Sequence, residues 1–176
     1  MKYVLMLSAL FITQAPGVQA EESGKDDPVR TVGNVDLNRY MGTWYEIAKF
    51  PKRFEKGLVG VTATYTMMPG GKVRFVNAGY KENFSGKFVQ AQARAWAVDE
   101  SQSKLKVMFF WPFRDDYWII GLGKNYEYAL VGDPERESLW ILSRTPVLDP
   151  AVYDEVLLKA KRQGFDISRL IKMPQK

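Results

Sequence analysis

An aromatic and apolar run at residues 42–50 places the strongest limit on what this chain can fold into. The run opens with a glycine and reaches a tryptophan two residues later. With the two-residue period of a β-strand, one face carries Trp44, Glu46, Ala48 and Phe50, and the other carries Tyr45, Ile47 and Lys49. One of these faces is a candidate for the interior of a closed antiparallel barrel.

Seven further strand-like runs follow, joined mostly by short turns. They are predicted at residues 58–67, 72–80, 86–98, 104–111, 117–122, 128–131 and 138–144. The run at 58–67 alternates most clearly, with Val61, Ala63 and Tyr65 on one face and threonines on the other. In the run at 104–111 the apolar stripe is Leu105, Val107, Phe109 and Trp111. Eight alternating strands predict an all-β domain, and alternation alone fits a barrel or a two-sheet sandwich.

One amphipathic helix is predicted after the last of these strands. Asp149 is a good N-cap, and proline follows it at the first helical position. The apolar face carries Val152, Val156, Leu157 and Ala160. Gly164 ends the helix, which we expect to pack against the outside of the barrel. A single helical turn at residues 36–41 is predicted to close one end of it.

The N-terminal residues have the pattern of an export signal. Residues 1–20 contain a basic start, an apolar core of about ten residues and a small-residue cleavage site, and we predict cleavage before Glu21. The apolar core is shorter than the roughly 20 residues that a membrane-spanning helix needs. We expect a flexible leader at residues 21–35, the folded domain at residues 36–176, and a periplasmic location.

Composition excludes several classes of function. The chain has no cysteine and no histidine, which removes disulfides, the lipid-accepting cysteine of a lipoprotein, thiolate or imidazole metal sites and histidine-based catalysis. We therefore expect a soluble non-enzyme without a lipid anchor, metal or cofactor. The 25 basic and 20 acidic residues are dispersed, which gives no support to nucleic-acid binding. The positive excess is compatible with transient contact with an anionic membrane surface.

Three ordered motifs favour the barrel over the sandwich. Residues 42–48 (Gly-Thr-Trp-Tyr-Glu-Ile-Ala) resemble the first lipocalin motif, residues 125–131 resemble the second, and residues 140–146 resemble the third. The chain closely resembles the bacterial lipocalins, which are themselves similar to apolipoprotein D. This resemblance implies an eight-stranded antiparallel up-and-down barrel, of calycin type, with the amphipathic helix outside. It also implies structural roles for Gly42, Trp44 and Arg144, with the arginine packed over the tryptophan.

The resemblance further implies a cup that holds one small amphiphilic ligand. The inward positions and polar candidates that we expect to contact it are Glu46, Tyr65, Phe75, Asn77, Arg94, Val107, Phe109, Tyr117 and Trp140. Leu105 shares the inward parity. Apolar residues near the closed end would serve as core, and only the upper ones would touch ligand.

Arg94 is the position at which two registers compete. One register directs Gln92, Arg94 and Trp96 inward, where Arg94 would bind a carboxylate or phosphate bidentately or pair with Glu46. The other register places the alternating alanines inside and Arg94 in solvent. We expect the first.

The function that follows is binding, storage or transport of a fatty acid or lysophospholipid, in envelope lipid turnover or stress. Two alternatives remain: a lipocalin-fold enzyme acting on a bound lipid, and an interaction module that docks a membrane or protein through the aromatic residues 110–113. We expect a monomer or a weak homodimer.

Overall fold

The computed structural model describes residues 27–176, so the predicted signal peptide and residues 21–26 of the leader lie outside the described residues. The elements in chain order are α1 (Leu37–Tyr40), β1 (Gly42–Lys49), β2 (Leu58–Met68), β3 (Lys72–Lys81), β4 (Phe88–Ala97), β5 (Lys104–Met108), β6 (Asp115–Leu122), β7 (Tyr128–Gly132), β8 (Leu139–Ser143), α2 (Pro150–Arg162) and β9 (Ile171–Lys172). Short 3-10 turns occupy Arg53–Glu55, Pro69–Gly71 and Ile167–Arg169. No helix within residues 27–176 is long and apolar enough to cross a bilayer.

Strands β1 to β8 form a closed barrel. Each strand pairs antiparallel with the next, and β1 pairs with both β2 and β8. Closure leaves no unpaired sheet edge between the first strand and the last. The short β9 adds beside the upper part of β1. The predicted eight-stranded up-and-down barrel is confirmed, and the sandwich is excluded.

Helix α2 packs outside the barrel, as predicted. Asp149 caps it by accepting hydrogen bonds from the backbone N–H groups of Ala151 and Val152. Val156 and Ala160 are fully buried against the outer face of the sheet. The molecule therefore has two apolar cores, one inside the barrel and one between the barrel and α2.

A β-bulge in β1 changes which side chains enter the barrel. The register of β1 against β8 shifts between Glu46 and Ala48, because one extra residue lies on the β1 side. Trp44 and Glu46 point inward, but Ala48 and Phe50 then pack in the outer core beneath α2, and Lys49 is buried on the inner side. The expectation that Ala48 and Phe50 share the face of Trp44 is wrong for this reason.

The register of β4 also differs from the one that we expected. Ala93 and Ala95 are buried inside the barrel, whereas Arg94 is exposed. Ala93 lies opposite Phe75, whose ring stacks on Tyr65, and a small side chain fits this crowded position. The prediction that Arg94 faces the lumen is wrong.

Strand β5 ends earlier than predicted. It stops at Met108, and Trp111 is 81% exposed instead of completing the inner stripe. The N–H of Phe113 donates to the carbonyl of Phe110, which forms a turn around Pro112. Proline cannot donate to a sheet ladder, so the strand cannot continue through it.

Residues 28–35 are packed, in contrast to the loose leader that we expected. Val29 and Val35 are buried. The N–H of Val32 donates to the carbonyl of Ile119, and that of Val35 donates to the carbonyl of Ser101. This segment runs beside the end of α2, where Val29 packs in the outer core, and then reaches the closed end of the barrel, which α1 covers.

Candidate ligand-binding site

The closed end of the barrel is built around Trp44. Its ring is fully buried, and its Nε1 donates to the carbonyl of Tyr40 at 2.9 Å. The expected contact is present, with the Arg144 guanidinium 3.8 Å from the centre of the indole ring. Arg144 also donates to the carbonyls of Arg39 (2.7 Å), Tyr40 (3.1 Å) and Thr43 (3.1 Å). One side chain thus links the end of α1 to β1.

Gly42 permits this arrangement. Its φ of +95° lies in a region that other residues rarely adopt, and a Cβ there would lie 3.3 Å from Arg144 Nη1. The close approach of the guanidinium therefore depends on glycine at this position.

Three tyrosines form the floor of the lumen. The Tyr117 hydroxyl lies 2.7 Å from that of Tyr40 and 2.8 Å from that of Tyr65. Burial raises the pKa of all three hydroxyls well above the ordinary value. The three hydroxyls therefore remain neutral and form hydrogen bonds with one another through Tyr117, within an aromatic floor.

A cavity of about 300 Å³ lies above this floor. Eight of the predicted contact residues line it: Glu46, Tyr65, Phe75, Asn77, Val107, Phe109, Tyr117 and Trp140. Leu105 is buried in the inner core, and Arg94 lies outside the barrel. The strands thus bring together all the predicted residues except Arg94 around one space.

A second cavity of about 560 Å³ adjoins the first near the mouth. Both are lined by Phe54, Asn77, Phe109 and Asp115. The second exists because β4 begins at Phe88, whereas its pairing with β5 ends at Arg94 and Met108. The wall is therefore incomplete on this side, and the lumen widens beneath the loop that follows β5.

A buried ionic cluster stands in the wall of the lumen. Lys49 Nζ donates a hydrogen bond to Glu55, with which it forms an ion pair, and it lies 3.0 Å from Glu46 Oε1. Asn77 Nδ2 donates to Glu55 Oε1 at 3.3 Å. The three charged residues are at most 5% exposed. Because Glu55 belongs to the loop between β1 and β2, this pairing holds that loop, residues 50–57, over the lumen.

The comparisons with known proteins agree with this architecture. A family model described as a lipocalin-like domain matches residues 35–175. The chain is a lipocalin. The resemblance that the three motifs indicated is therefore confirmed.

Relatives of this lipocalin occur in bacteria and in animals. It is 45% identical over 148 residues to the outer membrane lipoprotein Blc of Escherichia coli strain K12. The aligned residues cover 84% of this chain and 83% of that protein. It is 33% identical over 178 residues to apolipoprotein D of Mus musculus, covering 96% and 90% of the two chains. The solved structure of insecticyanin from the tobacco hornworm Manduca sexta has the same fold, with a TM-score of 0.69, 23% identity and 87% of each chain covered.

The electrostatics of the lumen differ from what the sequence led us to expect. Burial, followed by the nearby charge of Glu55, raises the pKa of Glu46 to about 8, although Lys49 acts in the opposite direction. The lining of the 300 Å³ cavity includes five carboxylates but two cations: Glu46, Asp115, Asp116, Asp133, Glu135, Lys52 and Arg114. This lipocalin therefore surrounds an apolar floor with a mainly acidic upper wall.

Sequence reasoning missed several residues of the site. Lys49 was assigned to the opposite face from Glu46, because a bulge cannot be read from alternation. Glu55 lies in a charged loop, where a solvated side chain is the ordinary expectation, but it is 4% exposed. Lys52 was missed in the same loop, and its Nζ donates to Ser138 Oγ at 2.6 Å. The one signal in the sequence was Phe54, an aromatic residue in an otherwise charged loop, which indicates that this loop contacts the lumen. Its ring centre lies 6.2 Å from that of Phe109.

Within residues 27–176 no group of three or more acidic, histidine or cysteine side chains is placed to hold a metal ion. The lumen combines apolar walls, tyrosine hydroxyls, the ionic cluster and the mainly acidic upper wall. Such a site can desolvate an alkyl chain and fix one polar group.

Proposed function

We propose that this lipocalin binds one small amphiphilic lipid, of the size of a fatty acid or lysophospholipid, in the lumen of its barrel. The observation that carries the proposal is the aromatic cavity above the tyrosine floor, closed at one end by Trp44 and Arg144 and wider near the mouth. The family membership and the lipoprotein relatives support it. Because Arg94 faces solvent and does not bind the polar end of the ligand, we propose that burial of the ligand's alkyl chain supplies most of the affinity.

The magnitude is sufficient for binding. Burial of about 300 Å² of alkyl surface at roughly 25 cal/mol per Å² gives on the order of 7 kcal/mol before ordering costs. A longer chain that extends into the second cavity would add to this figure. Because a Kd of 1 μM corresponds to about 8 kcal/mol, we expect micromolar affinity for chains long enough to occupy both cavities.

Native mass spectrometry of the protein purified from its own host, with organic extraction of the bound material, tests the proposal. We expect one lipid per barrel. The matched variants are Ala63→Leu, which fills the cavity wall, and Ala151→Leu on the exposed start of α2. Ala63→Leu should reduce lipid occupancy, whereas Ala151→Leu should not. The proposal would be contradicted if the purified wild-type protein carried no lipid and also bound none of a panel of added lipids.

We further propose that the mouth touches a membrane while lipid enters or leaves. Phe54, Phe110, Trp111 and Phe113 are 64–81% exposed near the mouth, where Phe54 and Phe110 line the same cavity. Lys52, Arg53, Lys56 and Arg114 carry positive charge in the same two loops. Aromatic side chains with flanking cations suit an anionic bilayer surface.

Liposome flotation checks this part of the proposal. Wild type should float with anionic vesicles and less with neutral ones, and Trp111→Ser should weaken flotation. Val147→Ser removes an apolar residue that is 75% exposed on the loop before α2, and it is the control. Equal flotation of Trp111→Ser and wild type would argue against docking through this loop. The sedimentation coefficient, measured at rising protein concentration, distinguishes a monomer from a homodimer.

We propose an exported protein that acts in the cell envelope, in lipid turnover or under stress. The export signal predicted at residues 1–20 supports export, and the names of the bacterial relatives place those proteins at the outer membrane. Cell fractionation followed by detection of the mature protein tests the location. A protein found wholly in the cytoplasm would refute it.

A further inference from the structure

We propose that Glu46 is a subsite for the polar end of the ligand, and that this end is a protonated amine rather than a lone carboxylate. The inference rests on the proposed function, because it names the chemistry of an amphiphile in the same lumen. It concerns one carboxylate that is buried beside the cavity without a full set of hydrogen-bond donors.

The geometry leaves one acceptor of the ionic cluster incomplete. Glu46 is 3% exposed and lines the 300 Å³ cavity. Its Oε1 lies 3.0 Å from Lys49 Nζ, yet within the described part of the chain it accepts no well-directed hydrogen bond. Lys49 Nζ also donates to Glu55, which in turn accepts from Asn77. Buried carboxylate oxygens are normally satisfied, so Glu46 Oε1 is available to a donor on a ligand.

The charge balance selects the kind of donor. Two carboxylates and one ammonium are buried together, so the cluster carries one net negative charge when Glu46 is ionised. An ammonium group on the ligand would neutralise this charge and donate to Oε1. A carboxylate would add a second uncompensated charge in a water-poor site, where repulsion is strong. The rest of the cavity wall has four carboxylates and two cations, Lys52 and Arg114, and Asp116 is paired with Lys106. The wall therefore keeps a small negative excess.

The protonation state of Glu46 fixes the conditions of the test. Burial and Glu55 raise the pKa of Glu46 to about 8. The charged and titratable groups that face it are Lys49 on its own strand, Glu55 of the β1–β2 loop and Tyr65 of β2. Above about pH 8 the carboxylate is ionised, and a long-chain amine still carries its proton. The amine preference should therefore be larger at pH 8.5 than at pH 6.

The experiment compares three probes with the same alkyl chain: dodecylamine, dodecanol and dodecanoate. Each displaces a fluorescent apolar dye from full-length mature protein at pH 8.5, below the critical micelle concentration of the probe. We expect dodecylamine to bind at least tenfold more tightly than dodecanoate. In Glu46→Gln this ratio should fall to about threefold or less. Glu155→Gln removes an exposed carboxylate on α2 and controls for net charge.

Each outcome decides between the two proposals. If dodecanol binds, and dodecylamine and dodecanoate bind with equal affinity, the amine subsite is overturned but the lipid-binding function still stands. An amine preference that survives in Glu46→Gln but disappears in Glu135→Gln would assign it to the mouth and also overturn the subsite. Failure of all three probes to displace the dye would overturn both. Circular dichroism of Glu46→Gln establishes that the variant is folded.

Discussion

Replacing Glu46 with glutamine should make the stability of this lipocalin less dependent on pH. In the folded protein the pKa of Glu46 is raised from 4.5 to about 8, so the folded state holds this proton more tightly than the unfolded chain does. The stability linked to this proton is complete below pH 4.5 and is lost as the pH rises through about 8. Glutamine keeps the shape of the side chain but has no proton to lose.

The size of the effect follows from the shift. One pKa unit corresponds to about 1.4 kcal/mol, so wild type should lose roughly 2–3 kcal/mol between about pH 6 and pH 8 through this residue. The free energy of unfolding of Glu46→Gln relative to wild type should rise by the same amount over that range. The chain has no histidine or cysteine, so few other side chains titrate there, and the terminal amine is common to both proteins.

Urea denaturation followed by tryptophan fluorescence measures this difference at several pH values between about 5 and 9. Glu155→Gln, which changes the same net charge on the outside, should follow wild type. If the stabilities of wild type and Glu46→Gln run parallel across the range, Glu46 is not held with a raised pKa in the lumen. The charge argument for the amine subsite would then lose its support as well.

Three further predictions concern the closed end, the mouth loop and the N-terminus. Arg144→Ala should lower the melting temperature by about 4–8 °C, because it removes a cation–π contact of roughly 0.5–2 kcal/mol and hydrogen bonds to the carbonyls of four residues, Arg39, Tyr40, Thr43 and Tyr126. The ligand affinity of the folded fraction should be retained, and an unchanged melting curve would refute the prediction. Glu55→Gln should release the loop over the lumen and speed ligand dissociation by about tenfold in stopped-flow dye displacement, and equal rates would show that the loop does not gate the lumen. Intact mass of the exported protein should place Glu21 first, and retention of Met1 would contradict cleavage.

The sequence predicted the architecture well because its signals were local and repeated. Alternation with period two marked eight strands, and Asp149-Pro150 marked the start of α2. The errors came from features that alternation does not encode. The bulge after Glu46 moves Lys49 inside without changing composition, and a turn around Pro112 ends β5 early. These are tertiary effects on strands whose local pattern stays the same.

Arg94 shows why the polar part of the site was harder to predict. Both faces of β4 were plausible from sequence, because alanine and glutamine each tolerate burial or exposure. The choice depends on the partner strand, since Ala93 lies opposite the stacked Phe75 ring and Arg94 lies opposite the exposed Arg74. No single strand contains that information. The aromatic walls were predicted because each large apolar side chain indicates its own face.

The ionic cluster is the feature of this lumen that the barrel itself does not require. A buried pair of charges seldom stabilises a protein more than apolar residues of the same size would, and a second carboxylate beside it adds a cost. Lys49 and Glu55 have a structural role, since they hold the mouth loop in place. Glu46 does not contribute to that loop, and its raised pKa indicates that its charge is poorly compensated. A carboxylate in this state is stabilised when a cation reaches it, so the same contact that would select an amine would also compensate the buried charge of Glu46.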